Sequence, residues 1–189
     1  MLIGITGYKR NGKDSLADRI CESYGYTKYS FAGKMKECLE VIFGWTPEYI
    51  EAHKEEVAEE YGISPRQFLQ VIGTEFAQYM LCEKYPEFKI KTGRKLWAKG
   101  LLNNLSDVQR EHAVISDMRF PHEAEEVRRY GGKIIRVNGN YLGCPFPELW
   151  HESESSVDKI VPDLIVENDG TLEDLDKAVF DMRGFICDF

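Results

Sequence analysis

The sequence predicts an α/β fold in which a five-stranded parallel sheet is flanked by helices. At the start of the chain, an apolar run, a glycine-bounded loop and a helical pattern follow one another. Along the rest of the chain, apolar β-prone segments alternate with helical patterns, which is typical of parallel sheets with right-handed crossovers. The predicted strands comprise residues 2–5, 27–31, 112–116, 133–137 and 164–166.

The loop after the first strand has the spacing of a phosphate-binding loop, Gly7-x-x-x-x-Gly12-Lys13. Glycine permits backbone angles that a Cβ would obstruct, so successive N–H groups can converge on phosphate oxygens at the start of the following helix. Lys13 supplies a mobile positive charge for the β- and γ-phosphates. The residues predicted to bind a nucleotide here are Gly7, Tyr8, Lys9, Arg10, Asn11, Gly12, Lys13, Asp14 and Ser15.

The position after the lysine departs from the usual motif. Asp14 stands where Ser or Thr normally follows, and the hydroxyl comes one residue later, at Ser15. Because Mg²⁺ prefers oxygen ligands and keeps several waters, both residues are candidate metal ligands, with the α-phosphate an alternative partner for Ser15. The competing interpretation is a chance match in which the two residues only cap a helix. The strand before the loop and the helix after it favour the nucleotide site.

Composition and charge limit the classes of protein to consider. The 189 residues suit a single domain, with a helical insertion predicted at about residues 44–105. A net charge of −8 argues against broad binding of nucleic acid, and the sequence has neither a membrane-spanning apolar run nor a signal-peptide pattern. We therefore expect a cytoplasmic protein without nucleic-acid or membrane partners. The five cysteines and four histidines show no metal-binding spacing.

Capping signals predict where several helices begin. Thr46-Pro47 precedes an acidic helix predicted over residues 48–60, and the capping box Ser64-x-x-Gln67 starts the next helix. Thr171-x-x-Asp174 starts the last helix, and residues 34–43 show helical spacing. Four apolar residues that recur every four positions are predicted to be core: Phe68, Ile72, Phe76 and Met80.

Polar residues in the predicted insertion and just before it are candidates for contact with a substrate. Lys36 lies near the start of a predicted helix, where a cation works against the helix dipole, so a local reason for it is expected. Arg66 and Gln70 share a stripe with Thr74, since residues four apart lie on one helix face. This stripe is either a solvated face or the side of a cleft.

A second group follows the third predicted strand. Asp117 lies at its carboxyl end, and ligands bind at this edge of open α/β sheets. Arg119 follows two residues later, and Arg128 lies on the next helix. Transfer of a phosphoryl group requires positive charge around the moving group, so both arginines are candidates, provided that the helix start bends inward enough for both to flank one cleft.

With these motifs in place, the sequence resembles the phage-type deoxynucleoside monophosphate kinases, whose fold is shared with animal-type phosphomevalonate kinase. The resemblance covers most of the chain. Its motifs here are Lys9 to Ser15, Phe31 to Lys36, Arg66 to Glu75, Ser116 to Phe120, His151 to Glu154 and Val166 to Glu173.

The resemblance implies a P-loop nucleotide kinase fold with a helical monophosphate-binding insertion and a lid. It implies ATP- and Mg²⁺-dependent phosphorylation of a deoxynucleoside monophosphate, in the host cytoplasm if the gene belongs to a phage. A homodimer is compatible with it, although the sequence shows no exposed apolar stripe. The matching positions give these roles: Lys13, Asp117, Arg119 and Arg128 catalytic; Lys36, Arg66 and Gln70 substrate-binding; Asn168 and Gly170 on the adenine side.

Two other functions share the features of the predicted donor site. One is a kinase for another small phosphorylated acceptor, such as phosphomevalonate or dephospho-coenzyme A. The other is a protein that binds ATP without transferring phosphate. The chain is shorter than typical phage kinases between Phe43 and Ser64, where part of the monophosphate-binding subdomain lies, so the resemblance does not specify a base.

Overall fold

Five parallel strands form one sheet in the computed structural model, which describes residues 1–139 and 155–187. The strands are β1 Ile3–Thr6, β2 Thr27–Tyr29, β3 Ala113–Met118, β4 Lys133–Gly139 and β5 Leu164–Asn168. Their spatial order is β2-β3-β1-β4-β5, and each neighbouring pair is parallel. The five-stranded parallel sheet predicted from the sequence is therefore confirmed.

Helices lie between these strands and after them along the chain. In chain order the α-helices are α1 Lys13–Tyr24, α2 Phe31–Phe43, α3 Pro47–Ala52, α4 Pro65–Gln70, α5 Leu81–Lys84, α6 Pro86–Lys91, α7 Leu96–Asn104, α8 Asp107–Glu111, α9 Pro121–Arg129, α10 Leu172–Asp181 and α11 Arg183–Ile186. A π-helix spans Val71–Met80, and 3₁₀ turns span Gly93–Lys95 and Val157–Lys159.

The chain divides into two compact units. The first comprises Met1–Ser30 and Leu105–Phe189 and contains the sheet, whereas the second, Phe31–Asn104, is helical. The predicted helical insertion at 44–105 within a single domain stays a prediction. Among the described residues, no helix is long and apolar enough to cross a bilayer.

The core of the first unit lies around β1. All four residues of this strand are buried, as expected for a central parallel strand that is covered on both faces. The core cluster combines strand residues with the apolar faces of α1 and α10, namely Ile3, Ile5, Leu16, Ile20, Ile135, Val137, Leu175 and Val179. This packing fixes the start of α1 relative to the carboxyl end of β1.

The prediction of an acidic helix over residues 48–60 was wrong in its length, since α3 ends at Ala52. A longer helix would place Glu51 and Glu55 at i, i+4, where like charges repel. Instead Glu51 forms an ion pair with Lys36, and Glu55 forms one with Arg66. The Thr46 cap and the Ser64 capping box are both present, as the sequence predicted.

The predicted core row on the following helix was partly wrong. Phe76 and Met80 are 38% and 43% exposed, whereas Gly73 and Ala77 are buried. The prediction assumed an α-helical turn, but this segment is a π-helix, whose hydrogen bonds run from i to i+5. The wider turn rotates the apolar row away from the interior of the second unit.

Candidate active site

The loop between β1 and α1 adopts the left-handed backbone that its glycines were predicted to allow. Gly7 and Gly12 have φ values of 146° and 87°, and Arg10 between them also has a positive φ, at 68°. A Cβ on Gly7 would lie 2.4 Å from the carbonyl oxygen of Val137 on β4. The glycine is therefore required by close backbone approach as well as by conformation.

Lys13 begins α1 and turns back over the loop. Its side chain is 7% exposed, and its Nζ donates to the carbonyl oxygen of Tyr8 at 2.8 Å. The ammonium group thus lies within the curve of the loop, where a phosphate group bound by the backbone N–H groups would meet it.

The side chain of Asp14 is 76% exposed, and a hydrogen bond from a residue of β3 holds it in place. Its Oδ1 accepts a hydrogen bond from the hydroxyl of Ser116 on β3 at 2.9 Å and lies 4.0 Å from Nζ of Lys28. Ser15 is half-buried next to it. These carboxylate and hydroxyl oxygens are the hard donors that Mg²⁺ prefers, and one carboxylate with substrate phosphates is its usual protein site. The described residues contain no cluster of three or more His, Cys, Asp or Glu that could hold a metal ion.

Asn168, at the end of β5, closes the loop from the other side. Its Nδ2 donates to the carbonyl oxygen of Asn11 at 3.0 Å, and a Cβ on Gly12 would lie 2.2 Å from that nitrogen. Gly170 lies just beyond, where a Cβ would collide with the carboxylate of Asp174, which forms a capping box with Thr171 at the start of α10. The structure thus brings Asn168 directly onto the backbone of the phosphate loop, a contact that spacing did not predict.

A buried glutamate organises the residues after β3. Oε2 of Glu123 accepts the backbone N–H groups of Arg119 at 2.8 Å and Phe120 at 2.9 Å. Burial raises the pKa of Glu123 to about 7; the two backbone N–H groups and Arg119 oppose this rise, and the Asp117 carboxylate adds to it. Sequence reasoning missed Glu123, although Pro121-x-Glu123 at a helix start is a capping pattern. Asp117 and Arg119 lie half-buried at the carboxyl end of β3.

Arg128 lies near the amino end of β4, away from the end of the sheet where the phosphate loop lies. Its Nη2 donates to the carbonyl oxygen of Val161 at 2.7 Å and to Asp163 at 3.1 Å, and Asp163 accepts the N–H of Ile134. Ile134 is near the amino end of β4, whereas the phosphate loop leaves the carboxyl end of the parallel β1. Gly7 of the loop packs against Val137, which is three residues farther along β4 than Ile134, or about 10 Å. The structure therefore does not bring Arg128 together with the phosphate loop.

A different arginine, Arg136 on β4, lies at the loop edge. It is in register with Thr6, the last residue of β1, and its Nη2 donates to Oδ1 of Asp158 at 2.7 Å. The other oxygen of that carboxylate accepts a hydrogen bond from the hydroxyl of Tyr8, inside the phosphate loop. Sequence reasoning missed Arg136 and Asp158 because no short motif contains them.

The candidate substrate-binding residues lie in the second unit. Lys36 on α2 pairs with Glu51, whose pKa is lowered chiefly by the hydrogen bond from that lysine. Arg66 on α4 pairs with Glu55. Both cations therefore face one short acidic segment, which is the local reason expected for a lysine near the start of α2. Gln70 is half-buried at the end of α4.

Two residues of the family-like motif, His151 and Glu154, lie outside the described residues. The sequence predicts an irregular segment over residues 138–161, of which residues 140–154 lie outside the described part of the chain.

Comparison with known proteins decides the family. A family model described as deoxynucleotide monophosphate kinase matches residues 46–179, which is more than half of the chain. The chain belongs to this family. Membership confirms the resemblance found in the sequence and the predicted enzyme class, a phosphotransferase of the nucleoside monophosphate kinase type. The use of a nucleotide follows from this class.

Individual deoxynucleotide monophosphate kinases are similar along much of their length. A putative deoxynucleotide monophosphate kinase of Acanthamoeba polyphaga mimivirus is 29% identical over 92% of this chain and 91% of its own. The deoxynucleoside-5'-monophosphate kinase of Escherichia phage T5 is 24% identical over 68% of this chain and 72% of its own. Both alignments extend over most of the viral proteins.

Among solved structures, shikimate kinase from Aquifex aeolicus is similar in fold. It has a TM-score of 0.51 and 15% identity, with 99% of each chain covered. At this identity the likeness concerns the fold alone, and it agrees with a kinase-type parallel sheet.

Proposed function

We propose that this kinase transfers the γ-phosphoryl group of ATP, with Mg²⁺, to a deoxynucleoside monophosphate. The observation that carries the proposal is the loop of the first unit. It combines left-handed glycines, a lysine turned inward over the loop and an aspartate held beside it by Ser116. This arrangement suits the phosphates of a nucleoside triphosphate and a hard cation. Family membership supports the nature of the acceptor.

In the proposed reaction, an oxygen of the acceptor's phosphate attacks the γ-phosphorus. The bond from that phosphorus to the β–γ bridging oxygen breaks, and ADP leaves with the bonding electrons. The acceptor is already an ionised phosphate, so no general base is required, and catalysis consists of positioning and charge stabilisation. Asp14 and Ser15, with the substrate phosphates, would hold Mg²⁺, which would supply charge neutralisation and Lewis acidity.

Residues of the first unit stabilise the charge of the phosphates and bind the nucleotide. Lys13 neutralises charge on the β- and γ-phosphates, and Arg119 stabilises charge on the transferred group. Asp117, two residues before Arg119, lies at the same carboxyl end of β3. The backbone around Asn168 and Gly170 forms the adenine-side loop.

The acceptor is bound by the second unit in this proposal. Lys36 and Arg66 take the monophosphate, and the Gln70 amide hydrogen-bonds the acceptor. The acidic partners Glu51 and Glu55 keep the two cations in place before the substrate binds. A phosphate competes well for such cations because it accepts the same charge-assisted hydrogen bonds as a carboxylate. Arg128 has no role here because it lies near the amino end of β4.

The test is an assay of ADP release with Mg-ATP and each of dTMP, dGMP, dCMP and dAMP. Phosphomevalonate and dephospho-coenzyme A serve as control acceptors. Turnover with at least one deoxynucleotide, and none with the controls, is expected. Turnover only with a control acceptor would reassign the substrate, and ATP binding without turnover on any acceptor would contradict the proposed reaction.

A further inference from the structure

Arg136 is a largely buried cation whose position is explained by nothing in the proposed reaction so far. It lies on β4 opposite Thr6, the residue that precedes the phosphate loop, and its side chain is 17% exposed. The neighbouring strand residues Ile135 and Val137 are fully buried in the core. A guanidinium group in such a place must be paired, because burying an unpaired charge costs several kcal/mol.

The partner of Arg136 connects it to the loop. Asp158 accepts from Arg136 through Oδ1 at 2.7 Å and from the Tyr8 hydroxyl through Oδ2. The carbonyl oxygen of Tyr8 also accepts a hydrogen bond from the Lys13 ammonium group at 2.8 Å. One chain of contacts thus runs from Arg136 through Asp158 and Tyr8 to Lys13.

The two members of the ion pair differ in exposure. The side chain of Asp158 is 58% exposed, against 17% for Arg136, so the carboxylate can move into water at little cost while the cation stays at the sheet edge. A phosphate group offers a guanidinium the same two-oxygen geometry as a carboxylate, with more negative charge.

We propose that Arg136 is a further phosphate-binding residue of the nucleotide site, held beside the loop by Asp158 until a nucleotide phosphate replaces that carboxylate. The identity of the nucleotide in this proposal rests on the proposed function. The proposal adds Arg136 to Arg119 as an arginine that contacts phosphate. The competing interpretation is a purely structural ion pair that attaches the turn Val157–Lys159 to β4.

The experiment uses the full chain with Arg136→Met, Arg136→Lys and Asp158→Asn. Arg19→Met is the matched control, because Arg19 is also a partly buried arginine of the first unit that pairs with an aspartate, Asp176, at 2.9 Å. Affinity for Mg-ATP and for ADP is measured by titration calorimetry. The melting temperature with and without nucleotide, and turnover with the deoxynucleotides, are measured alongside.

Arg136→Met is expected to weaken nucleotide binding roughly 10- to 100-fold, the loss typical of a charge-assisted hydrogen bond. Arg136→Lys is expected to bind nucleotide more tightly than Arg136→Met but less tightly than the wild type, because lysine keeps the charge but cannot form the bidentate hydrogen bonds of arginine. Asp158→Asn binds nucleotide as tightly as the wild type or more tightly, since the competing charge has gone. Arg19→Met retains wild-type affinity.

Two results would overturn the proposal. The first is an Arg136→Met protein that binds nucleotide as the Arg19→Met control does. The second is an equal loss of affinity in Arg136→Met and Asp158→Asn, accompanied by equal losses of melting temperature without nucleotide, since a structural ion pair needs both partners. Binding that depends on Arg136 without turnover on any deoxynucleotide would support Arg136 and contradict the proposed reaction, so the two failures are distinguishable.

Discussion

Lys13 illustrates how a single residue joins local backbone geometry to the proposed chemistry. Its ammonium group donates to the Tyr8 carbonyl oxygen, and its side chain is almost fully buried. The lysine is therefore positioned before any nucleotide arrives, and little side-chain entropy remains to be lost on binding.

Lys13→Met is expected to abolish measurable turnover while the protein stays folded, since methionine fills a similar volume but carries no charge for the β- and γ-phosphates. Steady-state kinetics measure the loss, and circular dichroism with a thermal melt checks the fold. Wild-type turnover in a folded Lys13→Met protein would refute the assignment of the loop.

The two arginines suggested by the sequence are expected to behave differently. Arg119→Met should lower kcat roughly 10³-fold if it stabilises the transferred group as arginine fingers do. Arg128→Met should leave kcat and KM close to wild type, because its guanidinium pairs with Asp163 near the amino end of β4. A change confined to KM in Arg119→Met would make it a ground-state binder instead, and a large kcat loss in Arg128→Met would contradict this placement.

At the scale of elements, the site depends on how β1, its loop and α1 meet the end of β5. The start of α1 is fixed by core packing of Leu16 and Ile20, and its N-cap position is Gly12, which has no capping side chain. Asn168 donates to the carbonyl oxygen of Asn11, so this bond holds the loop in front of α1 and does not cap the N–H groups of the helix. An element distant in sequence therefore fixes the loop that leads into the helix.

A comparison of Gly12→Ala with Gly25→Ala distinguishes the effect of the Asn168 contact from the effect of backbone strain. Both glycines flank α1 with φ values of 87° and 69°, so each alanine should destabilise the protein by about 1–2 kcal/mol. Only at position 12 would the new Cβ strike the Asn168 amide; nothing lies within 4 Å at position 25. Loss of kcat/KM for ATP is expected in Gly12→Ala alone. Equal kinetic losses in both variants would show that strain rather than the Asn168 contact is responsible.

The elements also show where sequence reasoning was accurate. The caps at Ser64 and Thr171 are signalled within four residues and are present in the structure. The acidic helix was predicted too long because its glutamates find partners on α2 and α4, which local spacing does not reveal. The row through Phe76 was misassigned because a π-helix changes which residues share a face.

At the scale of the whole molecule, the stability of the first unit depends on a buried acid. The pKa of Glu123 is raised to about 7 by burial, above its ordinary value near 4.5. The folded protein therefore keeps a proton that the unfolded chain loses in this interval, so the free energy of unfolding falls as pH rises from about 4.5 to 7. The full difference amounts to about 3 kcal/mol.

Glu123→Gln should lack this decline, because glutamine still accepts the N–H groups of Arg119 and Phe120 but does not titrate. Urea unfolding between pH 4.5 and 8 measures the slope for the wild type and the variant. Glu126→Gln removes another buried carboxylate from the same helix and controls for the substitution itself. Identical slopes in wild type and Glu123→Gln would show that Glu123 does not titrate in this range.

The parallel α/β class, the phosphate loop and the helix caps could be predicted without a structure. Each of these depends on residues that are close along the chain, whose chemistry and spacing are sufficient. Which arginine lies beside the phosphate loop depends on how distant parts of the chain fold together. Arg128 and Arg136 are eight positions apart, and the first is held by Asp163 beside the amino end of β4, whereas the second is held by Asp158 beside the phosphate loop. The same reason applies to Asn168 and Asp158, because strand order, which no local pattern encodes, places them against residues more than a hundred positions earlier.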